Sequence, residues 1–140
     1  MRHAITAALL LFAACASTTA PRFLSMRASE VRAMGQHMGA AGTHFIRVRI
    51  QNVSAEQVVI HTVRVEASGP DLDSEPGMDV FDQTINPGET VPFDLVLTVT
   101  SRNRAVLDQP LESVAVTIGY IAGQQDMVDS GTYSLNHEVN

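Results

Sequence analysis

From residue 43 onward the apolar residues recur at every second position, and no stretch repeats convincingly at 3.6 over three turns. A period of two buries one face of an extended strand and wets the other, so it argues for sheets and against a helical domain. The clearest run is 91–99. Val91, Phe93, Leu95, Leu97 and Val99 point one way, with Pro92, Asp94, Val96 and Thr98 between them. Ile46, Val48 and Ile50 alternate with Arg47, Arg49 and Gln51, and Val114, Val116, Ile118 and Tyr120 form a third such face. Pro92 has no backbone donor for a ladder, which places that end of its strand at a sheet edge or a bulge.

The breaks between these runs are as informative. In 58–67, Val58 and Ile60 share one phase while Val63, Val65 and Ala67 take the other. A flip at His61-Thr62 predicts a β-bulge or a change of partner. Asn52-Val53-Ser54 reads as a turn, Gly69-Pro70 as a stop, and 71–79 as an acidic loop before a short strand at 80–85. Asn86-Pro87-Gly88-Glu89 has the composition of a type II turn, Pro presetting φ and Gly accepting φ > 0. A loop with one helical turn is expected over 101–110, and a turn at Gly123-Gln124-Gln125. The returning strand, 128–135, is interrupted at Ser130-Gly131, where a bulge is expected. Six or seven short strands in roughly 95 residues predict an all-β, two-sheet antiparallel β-sandwich over 43–137.

The amino terminus carries a different signal. Arg2, the apolar run 4–14 and the small residues before Cys15 have the layout of an export signal. The run is shorter than the roughly 20 residues needed to cross a bilayer. Phe12-Ala13-Ala14-Cys15 resembles the lipobox of bacterial lipoproteins, with Phe12 where that family usually has Leu. The resemblance implies diacylglyceryl attachment to the Cys15 sulfur, cleavage before it, and an outer-membrane destination, since Ala16 lacks the Asp that retains such proteins at the inner membrane. The alternative is plain secretion, Ala14-Cys15-Ala16 serving as the cut site. The expected organisation is a signal over 1–14, a lipidated tether over 15–42 and the sandwich over 43–137. Within the tether, Ser29-Glu30-Val31-Arg32-Ala33-Met34 offers a short helix that Gly35, Gly39 and Gly42 weaken.

The run from Phe45 to Leu135 resembles the immunoglobulin-like sandwiches of bacterial envelope proteins. The carriers are the strand ending at Asn52-Val53-Ser54, the strand into Gly69, and Ile85-Asn86-Pro87-Gly88-Glu89-Thr90 leading into Phe93-Asp94-Leu95. A weaker similarity, carried by Ser130-Gly131-Thr132-Tyr133-Ser134-Leu135, is to the water-stress domain of late-embryogenesis-abundant proteins. Both resemblances imply a non-catalytic module.

Cys15 is the sole cysteine, so no internal disulfide can form and stability rests on the core. The chain has nine Arg and no Lys, with a net charge of −6. Six Arg (Arg22, Arg27, Arg32, Arg47, Arg49, Arg64) fall in the first half of the mature chain, where they read as ordinary solvated residues or as contacts to anionic head groups. Between Glu66 and Asp94 there are acids and no base. Net acidity and an export signal argue against a nucleic-acid role.

Asp71, Asp73, Glu75, Asp79 and Asp82 fall at the offsets of a calcium loop, but Pro76 stands where an EF-hand needs Gly and Asp82 replaces a bidentate Glu. The run reads as a solvated acidic loop; the alternative is a Ca2+-stabilised module. Met34, His37 and Met38, with Met26 and His44, are soft donors of the kind copper takes. Met127-Val128-Asp129-Ser130-Gly131-Thr132 resembles an aspartic-protease loop, yet two such loops must meet and too little chain follows this one. His61 and His137 stand alone in the sequence. The resulting expectation is a non-catalytic, membrane-anchored envelope protein with no resident cofactor. It would bind an envelope protein or surface polymer through the acidic loop or the strand edge near Pro92. A stress-protective role is the further alternative.

Overall fold

The computed structural model describes residues 22–32, 42–107 and 109–139. Cys15, Met34, His37 and Met38 lie outside them. The described chain is all-β apart from one helical turn, α1 (Arg104–Leu107). Eight strands run β1 (Leu24–Arg32), β2 (Thr43–Asn52), β3 (Val58–Ala67), β4 (Asp73–Glu75), β5 (Gly77–Ile85), β6 (Thr90–Thr100), β7 (Ser113–Ala122) and β8 (Gln125–Val139). They form one sheet in the order β4-β6-β2-β1-β8-β7-β3-β5.

That order forces the sheet to curl. β4 and β5 occupy its two edges, yet only Pro76 separates them in the chain. Laid flat, eight strands at 4.7–4.9 Å spacing would hold the edges about 34 Å apart, far beyond the reach of one residue. The edges therefore meet, and the sheet is nearly closed around its core. Gly77 sits at the seam, where an added Cβ would strike the Val96 carbonyl of β6 and stand 3.1 Å from a Val65 methyl. Phe81 of β5 packs edge-on against Phe93 of β6 with ring centroids 4.7 Å apart.

The core is the inward set that the alternation names. Ile46, Val48, Ile50, Phe93, Leu95, Leu97, Val99, Val114, Val116, Ile118 and Tyr120 are all buried. The phase flip in β3 is a register shift between Ile60 and Thr62, present in its pairing with both β5 and β7. It puts Val58, Ile60, Val63 and Val65 on one buried face. Gly88 has φ +80 and the Glu89 amide donates to the Asn86 carbonyl at 3.0 Å, closing the Pro-Gly turn. Asn52 anchors its own turn from a fully buried position. Its Nδ2 donates to the Glu56 and Ile85 carbonyls, and its Oδ1 accepts from the Ser54 amide and hydroxyl.

Three expectations are corrected. The span 24–32, assigned to the tether with a helical start at Ser29, is strand β1, because Leu24, Met26 and Ala28 are buried in the core. The pairing is not wholly antiparallel: β1 runs parallel to the end of β8, from Ala28↔Leu135 to Arg32↔Val139. β8 is also one continuous strand, without the bulge expected at Ser130-Gly131. It pairs with β7 as far as Ser134 and passes to β1 at Leu135, whose amide donates to the Glu112 carbonyl.

Candidate functional site

The five carboxylates of the alternative calcium reading are divided between a connection and two strands. Asp73 and Glu75 belong to β4, paired with β6, whereas Asp79 and Asp82 belong to β5, paired with β3. All four, with Asp71, are exposed. A coordination loop has to wrap one point, and here Pro76-Gly77 carries the chain from one sheet edge to the other. Among the described residues no group of three His, Cys, Asp or Glu is placed to hold a metal ion. Met26 is committed to the core.

Asp129 lies within β8 opposite Ile118, and its Oδ2 accepts the Tyr120 hydroxyl at 2.9 Å. Burial first, and then this hydrogen bond, push the Tyr120 hydroxyl well above its ordinary pKa. Gly131 lies beneath the Tyr133 ring, where a Cβ would come within 2.8 Å of the hydroxyl. At Pro92 the edge expectation matches the pairing. β6 bonds to β2 over Thr90–Thr98 on one side, and on the other to β4 only at Thr98–Thr100.

The outer surface of β1, β2, β6 and β8 carries an ion ladder. Arg47 grips Asp94 with two donors, Nε at 2.7 Å and Nη2 at 3.0 Å. Arg49 does the same to Glu138 and also donates to the Ser29 hydroxyl at 3.3 Å. These hydrogen bonds hold the Asp94 and Glu138 carboxyls below their ordinary pKa and raise both guanidinium groups.

One end of the curled sheet concentrates polar groups that sequence reading did not bring together. Glu30 stands at an inward position of β1, where the preceding alternation would place a hydrocarbon. His44 Nδ1 lies 3.0 Å from Glu30 Oε1, and His137 Nδ1 lies 3.4 Å from Oε2. The side chains are 7% exposed for Glu30, 11% for His44 and 45% for His137. Glu30 and His137 are direct partners in the parallel β1–β8 pair, and Glu30 lies opposite Ile46. A carboxylate this buried would be costly alone; two imidazoles from neighbouring strands face it.

His44 also lines a cavity of about 310 Å3. Its walls are the 68–72 connection after β3, Val106 and Leu107 of α1, and 109–112 before β7. Val99 completes the lining. Asp71 on its rim has φ 62, a left-handed conformation that Asp tolerates better than most residues.

No protein-family model matches the chain, and no curated protein matches it. Solved structures give distant likenesses. The VesB protease of Vibrio cholerae has a TM-score of 0.39 at 12% identity, covering 81% of this chain and 32% of its own. This chain thus spans about a third of that protease's length. A FixG-related protein from Vibrio parahaemolyticus has a TM-score of 0.34 at 11% identity, covering 83% and 99%. A protein from Archaeoglobus fulgidus has a TM-score of 0.33 at 9% identity, covering 80% and 96%. Likenesses this remote carry no functional argument. No helix among the described residues is long and apolar enough to cross a membrane.

Proposed function

We propose that this chain is an exported, lipid-anchored module of immunoglobulin-like build that works by binding. In this reading Cys15 takes the lipid and the signal over 1–14 is removed. The curled sheet is read as two stacked halves, β4-β6-β2-β1 and β5-β3-β7, with β8 shared between them. The partner is an envelope protein or a surface polymer.

The observation that carries the reading is the cavity at the strand ends. Its walls are largely connections, which can vary without disturbing a core, and such segments on a rigid scaffold are where binding surfaces concentrate. At about 310 Å3 it falls at the lower end of small-ligand sites.

Two measurements test the two halves of the proposal. Fatty-acid labelling in a bacterial host is expected to mark the wild-type chain and to fail for Cys15→Ser, which should also leave the membrane pellet. A Cys15→Ser chain that still pellets removes the anchor. A photo-crosslinking residue at Leu72 or Leu107 is expected to yield a discrete adduct in intact cells. No adduct there, with one from a crosslinker at Val80 on β5, would move the binding surface to the exposed side of β5.

A further inference from the structure

Large apolar side chains left exposed among the described residues gather on one outer sheet surface. Met78 is 61% exposed, Val80 71% and Val128 70%. The registers lay this surface out in rows across β5, β3, β7 and β8. Val80, Thr62, Gly119 and Val128 make the central row. Thr84, Val59, Ile121 and Asp126 make the row on one side of it, and Met78, Arg64, Thr117 and Ser130 the row on the other. At Gly119 no side chain rises at all, and an added Cβ would come within 2.5 Å of the Thr62 hydroxyl. The centre is therefore flat, apolar and free of charge. The outer surface of β1, β2 and β6 is built differently, with the Arg47–Asp94 and Arg49–Glu138 pairs across its middle.

Charge on the apolar surface is confined to its two ends. Asp126 and the outward Asp82 of β5 lie at the Thr84 end. Arg64 and Glu66 lie at the other, where Glu66 accepts from Nη2 of Arg64 and leaves the other guanidinium donors available. We propose that this surface is the contact between two copies of the chain, laid face to face with their strand directions reversed. A two-fold axis in the contact plane and across the strands sets each acidic end over the Arg64 end of the other copy. Arg64 of each copy then faces Asp82 of the other. An axis along the strands would instead bring Asp82 against Asp126. The surface is thus complementary to itself in one orientation, as an isologous contact has to be.

The size agrees. Four strands about 4.8 Å apart and eight residues at about 3.4 Å each span roughly 19 Å by 27 Å. That is about 500 Å2 on each copy and about 1,000 Å2 in all, where specific contacts begin. The dimer is therefore weak and reversible. It depends neither on the cavity nor on the anchor.

Sedimentation of the full-length chain in mild detergent is expected to pass from monomer to dimer between roughly 1 μM and 1 mM, as contacts of this size do. Val80→Thr with Val128→Thr keeps the β-branched shape and removes apolar surface at four points of the contact. The pair should raise the dimer Kd at least about tenfold, with the melting temperature unchanged. Arg64→Glu and Asp82→Arg should each weaken the dimer about fivefold, the scale of exposed ion pairs. Combined, they should return to within about twofold of wild type, because the contact is restored with its charges exchanged. A photo-crosslinking residue at Val80 in intact cells should give an adduct of twice the chain's mass. A chain that stays monomeric throughout, a Kd indifferent to the Val80 and Val128 changes, or a charge exchange that restores nothing overturns the proposal. A Val80 adduct of another mass also overturns it and assigns the surface to a different protein. The Leu72 and Leu107 crosslinks and Cys15→Ser test the cavity and the anchor separately, so each reading fails on its own measurement.

Discussion

Glu30 of β1 and His44 of β2 meet at 3.0 Å in the buried end of the sheet, and the same carboxylate faces His137 of β8 at 3.4 Å. Three strands are thus tied at one point, including the parallel β1–β8 pair. Glu30→Ala should destabilise the fold by about 1–3 kcal/mol, the cost of stranding buried polar partners. Glu30→Gln, which keeps an acceptor of the same shape, should lose less. Urea denaturation of both variants checks the order; equal losses would mean that packing, and not the polar contact, is what matters.

Gly77 marks the seam. A methyl group there collides with the Val96 carbonyl, a backbone atom that cannot rotate away, and crowds Val65. Gly77→Ala should cost about 1–3 kcal/mol, as overpacking does, and should raise amide exchange in β5 before the rest of the sheet. Uniform exchange across all strands would show that β5 does not open independently.

Asn52→Ala should cost about 2–4 kcal/mol. It strips a donor from the buried Ile85 carbonyl and the Glu56 carbonyl, and an acceptor from Ser54. Asn52→Asp should be no better, since a carboxylate would face two carbonyl oxygens. Thermal melts in one buffer rank the three proteins.

The ion ladder sets a pH dependence. Asp94 and Glu138 have folded-state pKa values below their ordinary 3.8 and 4.5. The unfolded state therefore takes up protons first as pH falls, and the ladder's contribution is complete above the ordinary values. It disappears as pH drops through the depressed ones. Both pairs are partly exposed, so each is worth at most about 1 kcal/mol. The double variant Asp94→Asn with Glu138→Gln should melt below wild type at pH 7, and the gap should close under acid. A gap that persists at low pH would contradict the assignment.

Much of the scaffold was legible because local chemistry dictates it. The alternation at 91–99 made β6, the phase flip at His61-Thr62 made a register shift, and Pro87-Gly88 made its turn. β1 was hidden by the residue that matters most to the site. Leu24, Met26 and Ala28 alternate correctly with Ser25, Arg27 and Ser29, but the next inward position is Glu30, and a charge there reads as the end of a strand. The acidic run over 71–82 hid strand structure in another way. Its composition reads as a solvated loop, whereas backbone pairing to β6 and β3 makes strands of 73–75 and 77–85.

By itself, then, the order of residues determined the all-β class, the inward faces and the turns, since each follows from side-chain period and backbone freedom within a few positions. Tertiary structure alone decided that Pro76 closes the sheet, that β8 pairs with both β7 and β1, and that Glu30, His44 and His137 meet beside a cavity. Those contacts join residues far apart in the chain, and nothing in the neighbours of a residue states which distant strand will satisfy its charge.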